Sequence, residues 1–357
     1  SSIPRYVDAH NNMGEAYRAI GDIEAACHCY KTAMSIDPEA IPARWNLAIQ
    51  WLSQGNFDAG WDAYELRWKR LGQPRRKIDA GREWNGGPLS GKSIFIYEEQ
   101  GLGDTIQFAR YLSNLKQRGG KLIFEVQPAL IRLFQDFEPA DRVWMGIRGK
   151  DTRPTDRFDY HLPIMSLPRL FRTRIDTIPC KVPYIKADKR LAKIWEQRIH
   201  SEQGIKVGIV WAGHPRHGED NKRSVFLSRF KALGTVLGVG LYSLQKEKHE
   251  KWTDIGLKDI GARDLGAQIS DFADTAAIME NLDLIISVDT AVVHLAGAMG
   301  KAVWVLLPFL SDWRWMEERS DSPWYPTMTL FRQPAPADWD AVFEAVRLQL
   351  KQLAGSK

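Results

Sequence analysis

The stretch 283-DLIISVDTAVVHLAGAMGKAVWVLLP-308 places two short apolar runs on either side of a segment with helical spacing. The runs at 283–289 and 302–308 predict strands, and 290–299 between them predicts a helix. A strand returned to its own sheet through a helix must run parallel to the first, and runs this apolar fit strands covered on both faces. Ala296, Gly297, Ala298 and Gly300 would let that helix lie close against its sheet.

The same alternation extends outward in both directions. IKVGIVWAG (205–213) and GLYSLQ (240–245) read as strands, with helices around 226–237 and 271–281. Upstream, IFIY (94–97), KLIFEV (121–126) and FDYHLPI (158–164) read as strands, and 105–118 and 128–135 as helices. A helical stretch, 190-RLAKIWEQRI-199, separates the two sets, and 338-DWDAVFEAVRLQLKQL-353 reads as a closing helix that starts on an Asp. The expected class is α/β, with two Rossmann-like halves facing a cleft.

The first 75 residues differ: from Val7, a 34-residue unit carries Met13, Gly14, Tyr17, Gly21, Ala26, Tyr30, Ala33 and Pro38 where the tetratricopeptide pattern has its packing residues. A second unit from Ile41 retains Leu47, Ala48, Trp51, Gly55 and Tyr64, but has Gly60 and Arg67 in place of two small alanines. Two repeats rarely stand alone, so the array is expected to dock on its neighbour or to be part of a longer one. The expected domains are repeats over 1–75, a first lobe over 76–190, a second over 191–336 and a closing helix over 337–357.

With 357 residues, 44% hydrophobic and 26% charged, the chain fits two or three globular domains. A net charge of +5 does not argue for nucleic acid. The basic run 67–82, with seven cations against one acid, reads as a linker. No apolar run approaches the ~20 residues of a membrane helix, so a chain that is not transmembrane and a cytoplasmic location are expected, with peripheral association at the inner membrane left open. Cys27, Cys29 and Cys180 show no metal-binding spacing, which predicts a reducing compartment and no metal.

Ligands of open parallel sheets bind beyond the carboxyl ends of strands, where helix N-termini offer N–H groups. Three loops lie at such ends. In 98-EEQGLGDT-105, Gly101 and Gly103 allow close approach, but the third glycine of a dinucleotide fingerprint falls on Ile106, which excludes a nicotinamide site. Asp104 reads either as a helix N-cap or as a general base. The loop 211–224 holds Gly213, His214, Arg216, His217, Lys222 and Arg223, suited to a diphosphate or to solvent. In the third loop, Thr290, Ala291 and Val292 offer backbone N–H groups beside Asp289, with His294 about one turn on. The aromatic segments 313-WRW-315 and 323-PWYP-326 read as packing between the lobes or as surfaces for stacking a sugar or base.

Taken together, G-L-G-D, the strand ending W-A-G-x-P with a following K-R-S, and S-V-D-T-A-V-x-H-L-A-G-A-M-G-K resemble bacterial tetratricopeptide-repeat glycosyltransferases related to the heptosyltransferases of glycosyltransferase family 9. The overall arrangement is more distantly similar to the O-linked N-acetylglucosamine transferases. The resemblance implies a two-lobed GT-B fold and metal-independent transfer of a sugar from a nucleotide donor, which serves as substrate, with no cofactor. It places Asp104 as the catalytic base and Gln100, Gly101 and Gly103 in the acceptor-side loop. It puts Trp211, Gly213, Lys222, Arg223, Gln245, Asp289, Thr290, Ala291 and His294 on the donor side. Glu98, Glu99, Gln100 and Ala291 depart from the heptosyltransferase pattern. The repeats suggest a protein or peptide acceptor, with a cell-surface glycan as the other candidate. A catalytically inactive GT-B fold serving as a protein-binding module, and a hydrolysing or epimerising sugar-nucleotide enzyme, are the alternatives.

Overall fold

The computed structural model describes residues 3–70, 72, 76, 78, 82–147, 154, 157–199, 204–216, 218–247 and 249–356. The chain divides into two compact units, one formed by 1–87, 166–178 and 310–319, the other by 88–165, 179–309 and 320–357. Of the expected linker at 67–82, residues Arg67–Arg70 instead form a short helix with Arg67 buried, and 71, 73–75, 77 and 79–81 lie outside the described residues.

The first unit is helical. It comprises α1 (Ile3–Ala19), α2 (Ile23–Ile36), α3 (Ile41–Ser53), α4 (Phe57–Tyr64) and α5 (Arg67–Arg70). Asp22 starts α2 by accepting from the Ala25 N–H at 3.0 Å. Ala26, Tyr30, Ala33, Ala40, Ala43 and Leu47 form a core in which alanines set the helices close and Tyr30 fills the groove. At Gly60 a Cβ would lie 2.6 Å from a Leu52 methyl, so this position requires a residue without a side chain.

Two distant segments complete this unit. The Trp61 indole N–H donates to the Thr173 carbonyl at 3.0 Å, and its ring meets Trp313 edge-on at 5.3 Å. Gln50 donates to Glu317 at 2.6 Å. Arg67, completely buried, pairs with Glu65 at 2.8 Å and donates to Ser166 Oγ at 2.7 Å, which precedes the short helix Leu167–Leu170. Trp313 and Trp315 are thus buried inside the helical unit and are neither packing between the lobes nor sugar-stacking surfaces.

In the second unit, the first lobe has strands β1 (Ser93–Tyr97), β2 (Lys121–Val126), β3 (Arg142–Met145) and β4 (Tyr160–Pro163) in the order β3-β2-β1-β4, all parallel. Ile94 stands beside Leu122 on one side and Tyr160 on the other. The second lobe has β5 (Ile205–Val210), β6 (Val239–Ser243), β7 (Ala262–Asp264), β8 (Leu284–Val288), β9 (Val303–Leu307) and β10 (Met328–Arg332). Its order is β10-β9-β8-β5-β6-β7, also parallel. Every residue of β8 and β9 is buried, as strands covered on both faces require.

The expected helix over 105–118 is two helices, Leu102–Phe108 (α6) and Tyr111–Lys116 (α7). At the break, the Ile106 carbonyl accepts from the Tyr184 hydroxyl at 3.0 Å and the Gln107 carbonyl from Arg110 Nε at 2.8 Å, so side chains occupy acceptors of the helical ladder. The remaining helices of this unit are Ile131–Phe134 (α8), Lys189–Glu196 (α9), Asp220–Arg223 (α10), Lys231–Gly234 (α11), Phe272–Glu280 (α12), Ala291–Ala298 (α13) and Trp339–Gly355 (α14). Val342, Phe343, Val346 and Leu350 of α14 join the core of the second lobe, where Phe343 meets Phe230 at 5.0 Å.

Candidate functional site

Each sheet changes direction at one point. In the first lobe the chain goes from β1 outward to β2 and β3, then returns to the other side as β4; in the second it goes from β5 to β6 and β7, then returns as β8. The crevices of such sheets open where the order reverses, at the carboxyl ends of β1 and β4 and of β5 and β8. The loops at 98–104, 211–224 and 289–294 begin at those ends.

In the first loop Gln100 takes a left-handed conformation, φ 59°, and Gly101 begins α6. Asp104 is the third residue of that helix rather than its N-cap. Its carboxylate reaches back to accept from the Gly101 N–H at 2.7 Å, the returning half of a capping box. An Asp at this position holds the loop closed while remaining only partly buried. Glu98 accepts from Gln127 at 3.0 Å, and buried Glu99 accepts from the Met165 N–H at 2.9 Å, which ties this loop to the end of β4.

The two lobes meet at Gly103. A Cβ there would lie 2.8 Å from His294 Cδ2 and 3.4 Å from Ala291 Cα, so the start of α6 rests directly on the start of α13. Thr290 caps α13, its hydroxyl accepting from Val292 N–H at 3.3 Å; that N–H is therefore taken by the cap, contrary to the expectation of three open donors. His294 is buried, with Nδ1 3.0 Å from the Tyr325 hydroxyl. Asp289 stands partly buried at the end of β8. A second link crosses the lobes where Arg132 of α8 pairs at 3.0 Å with Asp271, the N-cap of α12.

The loop after β5 differs in part from its sequence reading. The Trp211 ring is packed in the lobe core and its indole N–H faces Thr253 at 3.3 Å, so its side chain is not presented to a ligand. Gln245 spends its amide on the loop, accepting from Ala212 N–H at 3.1 Å and donating to the Ala212 carbonyl at 3.1 Å; it holds the backbone in place. Lys222 is 67% exposed and paired with Glu219, whereas Arg223 is 17% exposed and 3.6 Å from Asp220. Gly213 makes room for that arginine, since a Cβ there would lie 2.6 Å from Arg223 Nη2. His214 and Arg216 are exposed, and His217 lies outside the described residues. Near this loop sits buried His249, which no motif in the sequence singles out. Burial holds its imidazole below the ordinary 6.5, against the attraction of Asp220 and Glu247.

Trp324 and Tyr325 are fully buried, and Arg110 donates to the Trp324 carbonyl. The 323–326 segment thus packs between the lobes, one of the two uses its composition allowed. No helix among the described residues is long and apolar enough to cross a membrane.

Residues 7–40 match the tetratricopeptide repeat model. The chain is 28% identical to Protein FlbA of Caulobacter vibrioides over 379 aligned positions, covering 99% of this chain and 63% of that protein, so it spans less than two thirds of this relative's length. The structure is similar to a glycosyl transferase family 9 protein from Veillonella parvula, with TM-score 0.56 and 11% identity over 77% of this chain and 100% of that one. It is likewise similar to the ADP-heptose lipopolysaccharide heptosyltransferase II of E. coli, with TM-score 0.51 and 9% identity over 73% of this chain and 99% of that one. The chain therefore joins a tetratricopeptide repeat to a two-lobed α/β fold of the kind found in the glycosyltransferases of family 9.

Proposed function

We propose that this protein is a glycosyltransferase that moves a sugar from a nucleoside-diphosphate donor to an acceptor hydroxyl without a metal ion. The observation that carries this reading is the contact at Gly103, which brings the Asp104 helix onto the start of α13 beside Ala291 and His294. A carboxylate from one lobe and a capped helix start from the other meet at one place.

In this reading the donor diphosphate lies at the carboxyl ends of β5 and β8. The positive end of α13 and the Arg223 guanidinium offset the charge that grows on the leaving group. The acceptor hydroxyl gives its proton to Asp104 as its oxygen bonds the anomeric carbon. The bond from that carbon to the diphosphate breaks, and the nucleoside diphosphate leaves with the electron pair. Gln245 serves by holding the 211–212 backbone in register. The repeat unit supplies recognition of a protein or peptide acceptor.

The test is a panel of uridine, guanosine and adenosine diphosphate sugars, ADP-heptose included, read by thermal shift and by release of nucleoside diphosphate. One nucleotide class is expected to raise the melting temperature, and transfer is expected to require an acceptor. No shift with any member would leave a protein-binding module without catalysis. Release of free sugar with no acceptor would make the enzyme a hydrolase.

A further inference from the structure

Helix α1 carries Tyr6, Ala9, Met13, Ala16 and Ile20 at alternating intervals of three and four residues, so these side chains form one stripe along its length. Every member of the stripe is exposed. Apolar residues scattered singly over a surface need no explanation, but a contiguous row of them marks an interaction surface. The stripe holds no charged side chain; Asp8 and Glu15 fall outside its spacing.

The repeat period identifies what covers such a face. One period of 34 residues carries Tyr6, Ala9 and Met13 onto Ala40, Ala43 and Leu47. All three of the later residues are buried, and Leu47 is 2% exposed where Met13 is 43%. They share a core with Ala26, Tyr30 and Ala33 of α2, which place two small residues about one aromatic at positions i, i+4 and i+7. The trailing helix of the first repeat thus closes on the leading helix of the second a face that stays open on α1. Helix α2 cannot close both, because it already meets another side of α1: Val7 joins the same core, and a Cβ on Gly14 would lie 2.5 Å from the Tyr30 ring. The bonds to the distant segments are made elsewhere, from Gln50, Trp61 and Arg67, which lie on or after α3.

We infer that the Tyr6 to Ile20 face of α1 is the docking surface for a further repeat of the same array on the same polypeptide. Its trailing helix lays small, aromatic and small residues against Ala9 and Met13, and brings no charge, since the stripe has none with which to pair it. The connection favours this occupant over a second copy. Residues 37–40 suffice to deliver α2 onto α3, so a helix joined by a similar turn ahead of α1 reaches the stripe at little cost in chain entropy. The inference is independent of the transferase reading.

The experiment places the photo-crosslinking residue p-benzoylphenylalanine at position 13 of the polypeptide expressed from its complete reading frame, with the links located by mass spectrometry. The expected product is an internal link to a helix ahead of Ile3 that bears small, aromatic and small residues at i, i+4 and i+7. Met13→Glu is expected to lower the melting temperature of that polypeptide by about 3 °C or more, and that of residues 1–357 by less than about 1 °C, because there the position faces water. A link joining two copies, a link to another protein, or no internal link would overturn the inference. So would equal melting shifts in the two polypeptides.

Discussion

An asparagine at position 104 keeps an oxygen to accept from the Gly101 N–H but cannot take a proton from an acceptor, whereas alanine can do neither. Asp104→Asn is therefore expected to melt near wild type while losing about 10²–10⁴-fold in kcat. Asp104→Ala should lose the same activity and, in addition, about 1 kcal/mol or less of stability. Near-normal transfer by Asp104→Asn would reduce the residue to its capping role. A sequence alone supports an Asp beside a helix start, but not its register: Gly101 takes the cap position, which puts Asp104 at the third helical residue. His249 illustrates what a sequence withholds. Burial holds its imidazole below 6.5, so the unfolded chain binds a proton there before the folded one does. Its contribution to stability is present above about pH 6.5 and is lost as pH falls from there toward the folded value. Melting followed against pH is expected to show a shallower acid decline for His249→Gln.

At the scale of elements, the loop after β5 separates two cations that look equivalent in the run N-K-R-S. Arg223 is held against Gly213 and Asp220 within the loop, while Lys222 points to solvent with Glu219. Arg223→Ala is expected to weaken nucleoside diphosphate binding about tenfold or more, and Lys222→Ala to change it less than about twofold, by calorimetric titration. Equal losses would mean that the lysine swings inward on binding. The central strands were legible because each is an apolar run covered on both faces, as at 121–126 and 284–288. The three strands not foreseen, RVWM at 142–145, ARD at 262–264 and MTLFR at 328–332, all lie at sheet edges. An edge strand is short and mixes polar with apolar side chains, so its sequence carries little of the periodic signal. The site shares this asymmetry: glycines and carboxylates at strand ends are visible in the sequence, while the Tyr325 hydroxyl on His294 depends on a contact 31 residues away.

On the scale of the whole molecule, the repeat unit is not one continuous stretch of chain. Its helices pack with 166–178 and 310–319, which leave and rejoin the α/β chain. A protein lacking residues 1–72 is expected to expose Trp313 and to strip Ser166 of its Arg67 partner. It should therefore be poorly soluble, or melt well below the full chain, in a circular dichroism comparison. A truncated protein as stable as the full chain would show that those contacts contribute little. The repeat itself was legible because tetratricopeptide packing recurs at a fixed period, but the pairing of Trp61 with Thr173 joins residues 112 positions apart and follows no period. Interleaved assembly also constrains how such a protein can diversify. A recombination event that exchanged only the leading helices would place foreign side chains against Thr173, Trp313 and Glu317, so these loop positions are expected to co-vary with positions 50 and 61 among descendants, as if the repeats and the two loops were inherited as one cassette.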